Sequence, residues 1–475
     1  MRRKGQAMGR LRDNDLGTLR DRVRGPVLVP GDEEYDAERS GFNTAVDQRP
    51  DVIVGATGAD DVRAAVALAA AADLPVGVSA TGHGAAFGAA GGVLVTTRRM
   101  TGVSIDPAAR RARLAAGVRW GEVIEAAARH GLAPLSGSAS HVGAVGYTVG
   151  GGLPLLGRTF GYAADRVHAF DLVTADGRSR RVTADAEPDL FWAVRGGRDN
   201  FGVVTALEIG LVPLTRIWGG GLYFDAGGAA RAAEILDGYR RWTATVPEEM
   251  NSSLALVPLP DVPALPEPLR GRHVAHVRVA WTGSEAAGER CVAPLRALGP
   301  RLLDHLAGLP FTAADSVHDD PSVPMPWNGD VALLDDLDEA AVPSVVELAG
   351  PEAAVPCIVE VRHLGGALAR PPAVPNAVGH RDARYSLGVL SRLGGPDDAR
   401  AMAAHRALLA ALGPRLAGRL VNFMGHGTGP EGPASADRVR TAYRAADLRR
   451  LTALKAAHDP ANTFRLNHNL PPAGG

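Results

Sequence analysis

The sequence predicts an α+β protein in which a first half of mixed strands and helices precedes a second, separately folded α+β region. The length of 475 residues exceeds that of one ordinary domain and favours about two or three. A strand–helix–strand pattern opens the chain, with strand-like apolar runs at residues 51–55, 75–80 and 93–97. The composition shifts after Pro213, and residues 218–413 alternate strand-like and helical segments between proline-rich loops.

Turn residues and helical spacing predict the remaining elements. Two hairpins turn at Asp106-Pro107 and Asp176-Gly177, and Gly131 ends the helix between them. In chain order, the predicted elements are a hairpin over 101–118, a helix over 120–130, a hairpin over 170–182, a short helix over 188–195, a strand over 203–212 and a last helix over 435–458.

Composition excludes several classes of function. The 51 basic and 52 acidic residues nearly cancel, whereas nucleic-acid and membrane-surface binders carry a basic excess. The two cysteines, Cys291 and Cys357, form no CxxC pair, which excludes a disulfide framework and a structural zinc site, and we expect no metal. The basic N-terminus lacks a following apolar segment, and the longest apolar run is too short to span a bilayer. We therefore expect a soluble, cytoplasmic protein, with its oligomeric state left open.

Residues 75–88 read PVGVSATGHGAAFG and form the first chemical motif. A strand leads into a loop made of Thr81, Gly82, His83 and Gly84, which we call the histidine loop. Glycines beside a histidine let backbone N–H groups approach an anion and leave the imidazole open to a planar partner. A tight turn with an incidental histidine fits the local sequence equally well.

Three further segments have features of a ligand cradle. Residues 137–157 are rich in glycine and suit a ribityl or pyrophosphate chain, but they contain neither a Rossmann fingerprint nor a P-loop. Residues 189–213 break a helix at two glycines before a strand. Residues 443–472 form a helix that stops before Asp459-Pro460 and a tail rich in asparagine. Each segment alone is also compatible with a purely structural role.

In this order and spacing, the four segments resemble the berberine bridge enzyme-like branch of the FAD-linked oxidases, in the vanillyl-alcohol-oxidase superfamily. Residues 30–43 and 49–66 resemble the N-terminal part of the same family. The resemblance implies a two-part PCMH-type FAD-binding domain, formed by residues 25–213 and 416–475. An antiparallel-sheet α+β substrate domain, residues 214–415, is inserted between the two parts.

The resemblance also assigns the cofactor contacts. It implies a covalent bond from His83 to the flavin 8α-methyl group, with Thr81, Gly82 and Gly84 at the pyrophosphate. Some members have a second, cysteinyl link at the position of Ala139, so we expect a single link here. The other implied FAD contacts are Gly146, Tyr147, Thr148, Gly150, Gly151 and Gly152 beside the ribityl chain and ring, Val203 and Val204 at the adenine, and Asn467 and Asn469 at the ring edge.

The implied reaction transfers a hydride from a substrate carbon to the flavin, and molecular oxygen then reoxidises the flavin to give hydrogen peroxide. The candidate general bases are Tyr443, Tyr385 and His363. A tyrosine titrates near 10, so Tyr443 needs a neighbouring cation to act as a phenolate. The family favours an oxidase in specialised-metabolite or antibiotic biosynthesis. The alternatives are a flavin-bearing drug-binding or resistance protein and a flavin-assisted cyclase without net redox change.

Overall fold

The computed structural model describes residue 11 and residues 13–84, 90–425 and 436–474. Residues 85–88 of the histidine motif and Ser435, the predicted start of the last helix, lie outside this range. Within it the chain forms three sheets, of four, five and nine strands. The α+β class and the antiparallel second-half sheet are confirmed.

The first sheet leads the chain into the histidine loop. Its strands β2, β4 and β3 run parallel, and β1 pairs antiparallel with β2. Loops at the carboxyl ends of parallel strands are common ligand sites, and the histidine loop follows β3. The elements are β1 (Val27–Leu28), β2 (Val52–Gly55), β3 (Val76–Ser79) and β4 (Val93–Thr96), with α1 (Asp13–Arg22), α2 (Tyr35–Arg39) and α3 (Ala59–Ala71).

The second sheet is antiparallel, in the order β5-β6-β9-β7-β8, and completes the first half. Both predicted hairpins are present in it. Its strands are β5 (Val103–Asp106), β6 (Arg111–Ala115), β7 (Val167–Val173), β8 (Ser179–Val182) and β9 (Val203–Gly210), and its helices are α4 (Trp120–Ala128), α5 (Ala144–Val149), α6 (Gly157–Phe160) and α7 (Pro188–Gly197).

The third sheet is antiparallel and occupies the second half. Its order is β13-β10-β12-β11-β16-β17-β15-β18, with β14 also paired to β10. The strands are β10 (Arg216–Asp225), β11 (Met250–Pro258), β12 (His273–Trp281), β13 (Arg301–Asp304), β14 (Ala307–Pro310), β15 (Trp327–Leu334), β16 (Ile358–His363), β17 (Tyr385–Arg392) and β18 (Leu416–Arg419). The helices are α8 (Ala229–Thr243), α9 (Glu285–Arg296), α10 (Ala341–Ala349) and α11 (Asp398–Ala411).

The two faces of the third sheet differ because successive side chains of a strand point to opposite sides. On β16, Val359 and Val361 join the apolar core with the helices. Glu360 and Arg362 alternate with them and therefore lie on the other face. That polar face is turned toward residues 153–158 of the first half, and together they line a narrow cleft.

The C-terminal segment returns to the first half, where the Val76 N–H donates to the Thr463 carbonyl at 2.8 Å. The last predicted helix is two helices, α12 (Ala436–Arg440) and α13 (Ala445–His458), because Arg444 is extended at φ −70° and ψ 150°. The third sheet also reaches past the predicted boundary at residue 415, since β18 pairs with β15. Among the described residues, no helix has both the length and the hydropathy needed to cross a membrane.

Candidate active site

The histidine loop is held in place by side-chain and backbone contacts. The Thr81 hydroxyl lies 2.8 Å from Nδ1 of His83, and it accepts a hydrogen bond of 3.3 Å from the Gly143 N–H. Gly82 adopts φ +72°, and a Cβ there would lie 2.4 Å from the Cα of Gly41. The loop therefore needs glycine at this position, both for its left-handed backbone and for this close approach.

The imidazole of His83 stacks on one ring and lies beside a second, tilted ring, and these two rings also contact each other. The Phe42 ring lies 4.0 Å from the imidazole at an interplanar angle of 13°, and the His141 ring lies 4.8 Å away. Burial, together with the nearby His141 and Arg119, lowers the pKa of His83 to about 3. The ring is therefore neutral at physiological pH, with a lone pair on one nitrogen. Sequence reasoning did not single out Phe42 or His141, which lie in the quoted segments but meet His83 only in the folded chain.

The glycine-rich segment packs against the histidine loop through α5. Gly146 is open, with no atom within 4 Å of a Cβ built there. By contrast, Cβ atoms on Gly150, Gly151 and Gly152 would meet protein side chains at 1.7, 3.1 and 2.5 Å. These three glycines are needed for internal packing. The Thr148 hydroxyl donates to the Ala144 carbonyl within its own helix, at 2.7 Å, and the predicted contact of Thr148 with FAD stays a prediction.

Asn422 is a site residue that the sequence analysis missed. Its amide donates to the Tyr147 carbonyl at 2.7 Å, and its Oδ1 lies where a Cβ of Gly150 would be. It follows a short turn after β18 and joins the glycine-rich segment to the C-terminal part of the chain. No local pattern marks it, because its partners are far away in sequence.

We expect Gly150→Ala to destabilise the protein by about 1–3 kcal/mol, because the new methyl group displaces Asn422 from the Tyr147 carbonyl. Gly146→Ala, in the helix that ends just before Gly150, is the matched control, and it should be neutral or slightly stabilising since the space around it is open. Urea unfolding of both variants measures the difference. Equal free energies of unfolding of the two variants would show that Asn422 can leave the Tyr147 carbonyl without destabilising the protein.

Asn200 binds the C-terminal tail through side-chain hydrogen bonds. The Asn200 amide donates to the carbonyls of Gly197 and His468, and its Oδ1 accepts from the Leu470 N–H at 2.9 Å. Arg198 donates to the Gly84 carbonyl at 2.9 Å and to the Val421 carbonyl at 3.4 Å. The turn at residues 198–200 therefore joins the histidine loop, the segment after β18 and the tail.

These segments surround polar atoms that the protein itself does not satisfy. Nε2 of His83, the hydroxyl of Tyr147, Nε of Arg198 and the Oδ1 atoms of Asn467 and Asn469 are buried without a hydrogen-bond partner among the described residues. Buried polar groups are normally hydrogen-bonded, so such a set points to a missing ligand. A large cofactor with many donors and acceptors, such as FAD, fits this site. No group of three or more potential metal ligands is found in the described part of the chain.

The predicted adenine contacts lie at the start of β9. Val203 pairs with Val173 of β7, and its side chain is fully buried in the apolar core between the first two sheets. Val204 points to the core on the other side. Both side chains are therefore structural, and a contact with adenine through their backbone stays a prediction.

The three candidate bases lie in different surroundings, and their role as bases stays a prediction. Tyr443 is buried and donates to the Gly196 carbonyl at 3.0 Å; burial raises its pKa, and Arg198 offsets only part of this rise. Tyr385 lies on the helix-covered face of the third sheet, 2.7 Å from the Thr243 hydroxyl, and is closed off from the cleft. Burial lowers the pKa of His363, which does line the cleft, to about 3, so it is a weak base.

The polar face of the third sheet has a charged cluster that sequence analysis missed. Glu360 accepts hydrogen bonds from Arg278 at 2.6 Å and from Arg362 at 2.7 Å. Both arginines line the cleft. The charged alternation in the segment IVEVRH was the available signal, but it did not show which strands would be neighbours.

Comparison with known proteins identifies two known domains that contain the segments of this site. A family model described as an FAD binding domain matches residues 50–183. A second model, described as berberine and berberine like, matches residues 421–471. The chain therefore contains an FAD binding domain and a berberine-like segment, and it is similar to the berberine bridge enzyme-like FAD-linked oxidoreductases. The matched segments contain the histidine loop, the glycine-rich segment, Asn422 and the asparagine tail, so the cofactor assignment to FAD agrees with the site.

Relatives of this oxidoreductase match along nearly the whole chain. The (R)-6-hydroxynicotine oxidase of Paenarthrobacter nicotinovorans is 28% identical over 470 residues, which is 95% of this chain and 98% of that protein. The BBE-like 1 protein of Physcomitrella patens superposes with a TM-score of 0.82 at 18% identity, covering 97% of this chain and 99% of the other. The xylooligosaccharide oxidase from Myceliophthora thermophila gives 0.82 at 19% identity, covering 98% and 99%. The two structures share the PCMH-type fold.

Proposed function

We propose that this oxidoreductase is an oxidase that removes a hydride from a small-molecule substrate, passes the electrons to molecular oxygen, and carries FAD covalently on His83 alone. The observation that carries the proposal is the half-buried, neutral imidazole of His83, whose buried Nε2 has no protein partner among the described residues. A role in specialised-metabolite biosynthesis stays a prediction from the family resemblance.

The position of His83 supports the covalent link. A neutral imidazole has a lone pair that can form a bond to carbon, whereas an imidazolium does not. Phe42 and Thr81 hold the ring in one orientation, so the nitrogen is already positioned before the bond forms. The protein holds the cofactor, and the bound flavin would supply the redox chemistry.

The positions of the cysteines support a single link. Cys357 is buried in the core of the third sheet, and Cys291 packs against that core from α9. Ala139, where some relatives have a cysteine, lies in the glycine-rich segment near Val142. Neither thiol is therefore available to that segment.

The test begins with the purified protein as expressed. It is precipitated with acid, the visible spectra of pellet and supernatant are recorded, and the flavin peptide is identified by mass. Flavin in the pellet on a peptide that contains His83 supports the proposal. Flavin released to the supernatant overturns the covalent link, and a protein that binds no flavin overturns the function.

The oxidase activity is tested separately, because the substrate is unknown. The flavin is reduced with dithionite without air, and air is then admitted. An oxidase reoxidises rapidly and releases peroxide, whereas reoxidation over many minutes would overturn the assignment of oxygen as acceptor. 6-Hydroxynicotine and xylooligosaccharides, which the names of two relatives mention, test whether this chain shares a substrate with either relative.

A further inference from the structure

Three neighbouring strands of the third sheet place two arginines and a serine in one row on its polar face. Ser253 of β11 is directly opposite Arg278 of β12 on one side and Arg362 of β16 on the other. We call these three residues the polar row. All three line the cleft between the sheet and residues 153–158 of the first half. Side chains in register on adjacent strands can act on the same ligand group.

The polar row has an excess of positive charge. Glu360 neutralises one of the two arginines, and it is bonded to both. Asp320 accepts a hydrogen bond of 2.6 Å from the Ser138 hydroxyl, and its charge acts on both arginines from outside the row without an ion pair to either among the described residues. The pKa of His318, lowered to about 3 mainly by burial and by Arg278, keeps this neighbour neutral. One positive charge therefore has no anionic partner in the row itself.

Arg362 has free hydrogen-bonding capacity. Only its Nε donates to Glu360, and its guanidinium carbon lies 5.6 Å from the centre of the Phe423 ring. The two terminal nitrogens have no hydrogen-bond partner among the described residues, and the side chain keeps 21% of its surface exposed to the cleft. A guanidinium with both terminal nitrogens free matches the two oxygens of a carboxylate.

Buried groups without partners support a ligand at the same place. The Ser253 side chain has only 3% of its surface exposed, and its hydroxyl has no hydrogen-bond partner in the described part of the chain. The same is true of Nδ1 of His318, in a residue that is 6% exposed and also lines the cleft. Leaving such groups unsatisfied is costly, so a ligand that bonds them is favoured.

The size of the cleft limits what can enter it. It encloses about 30 Å³, whereas one water molecule needs about 10–15 Å³. This is room for a small polar group and not for a ring. The group that enters is therefore one end of a larger molecule.

We propose that the polar row binds the carboxylate group of the substrate, with Arg362 paired to its two oxygens and the Ser253 hydroxyl donating to one of them. This inference rests on the proposed function, because it names the substrate class of the same site. The oxidised carbon then lies in the part of the substrate outside the cleft. Sugars without an acidic group are not expected to be substrates.

Isothermal titration calorimetry tests the proposal without relying on flavin. The probes are acetate, benzoate and 3-phenylpropanoate, each compared with its amide. At least one carboxylate should bind the protein at least tenfold more tightly than its amide. Arg362→Gln should weaken that binding at least tenfold, Arg362→Lys should weaken it less, and Ser253→Ala should weaken it severalfold.

Arg392→Gln is the matched control, since Arg392 is an exposed arginine of the same sheet, and it should bind like the wild type. Far-ultraviolet circular dichroism confirms that each variant is folded. The proposal is overturned if no carboxylate binds more tightly than its amide, or if Arg362→Gln binds as the wild type does. A protein with covalent flavin and no carboxylate preference would refute this inference and leave the proposed function standing.

Discussion

A His83→Ala variant is expected to leave no flavin in its acid-precipitated pellet, while the wild-type pellet stays yellow. The imidazole is the proposed attachment point, and the described residues offer no second nucleophile in the loop. The Phe42 N–H would still donate to the Thr81 carbonyl and the Gly143 N–H to the Thr81 hydroxyl, so the loop keeps its place and FAD is expected to bind the variant without a covalent bond. The visible spectra of pellet and supernatant measure the fraction of attached flavin.

His130→Ala is the control, because His130 is an exposed histidine after α4 and its loss should leave attachment unchanged. A yellow pellet from the His83→Ala variant would contradict the assignment and require another attachment site. If the His130→Ala pellet also lost colour, the effect would not be specific to His83.

The same substitution should change how stability depends on pH. In the fold the pKa of His83 is lowered to about 3, against about 6.5 in an unfolded chain. Between these values the unfolded chain binds a proton that the folded protein does not, so folding becomes less favourable as the pH falls. The variant should therefore lose less stability than the wild type between pH 6.5 and pH 4 in urea unfolding of the flavin-free proteins.

Lys455→Met is expected to destabilise the protein by about 3–5 kcal/mol. Lys455 and Asp459 have no exposed surface and lie 2.7 Å apart. The ammonium also donates to the carbonyls of Asn200 and Phe464, at 2.7 and 2.9 Å. Methionine fills a similar volume but leaves a buried carboxylate without its cation and two carbonyls without a donor.

Urea unfolding followed by tryptophan fluorescence measures this loss. Arg449→Met, at an exposed position of the same helix, should change the free energy of unfolding by no more than about 0.5 kcal/mol. The C-terminal tail should detach first, since Lys455 joins α13 to the tail and to the turn at Asn200. A loss below about 1 kcal/mol for Lys455→Met would show that the pair does not hold the segment in place.

Local patterns predicted the elements that make the loops of the site. The strand before Thr81, the glycines beside His83, and the helix stop before Pro460 each depend on neighbouring residues, and the structure contains all three. The order of the four motifs along the chain then indicated the family. Contacts within a few residues are encoded in the sequence they join, which is why these predictions succeeded.

Contacts between distant residues could not be read in this way. The Phe42 ring on His83, the Asn422 bridge and the polar row each join residues from separate elements. The hydrogen bond from the Thr148 hydroxyl to the Ala144 carbonyl is likewise seen only in the folded helix. Tyr443 required a lowered pKa to act as a base, and burial raises its pKa instead.

The sequence by itself therefore determined the class of fold, the histidine loop and the kind of cofactor. Only the tertiary structure decided the protonation of His83, the surroundings of the candidate bases and the grouping of Arg278, Ser253 and Arg362. The physical reason is that pKa values depend on burial and on charges brought near by folding, and that register between strands is set by packing of the whole sheet.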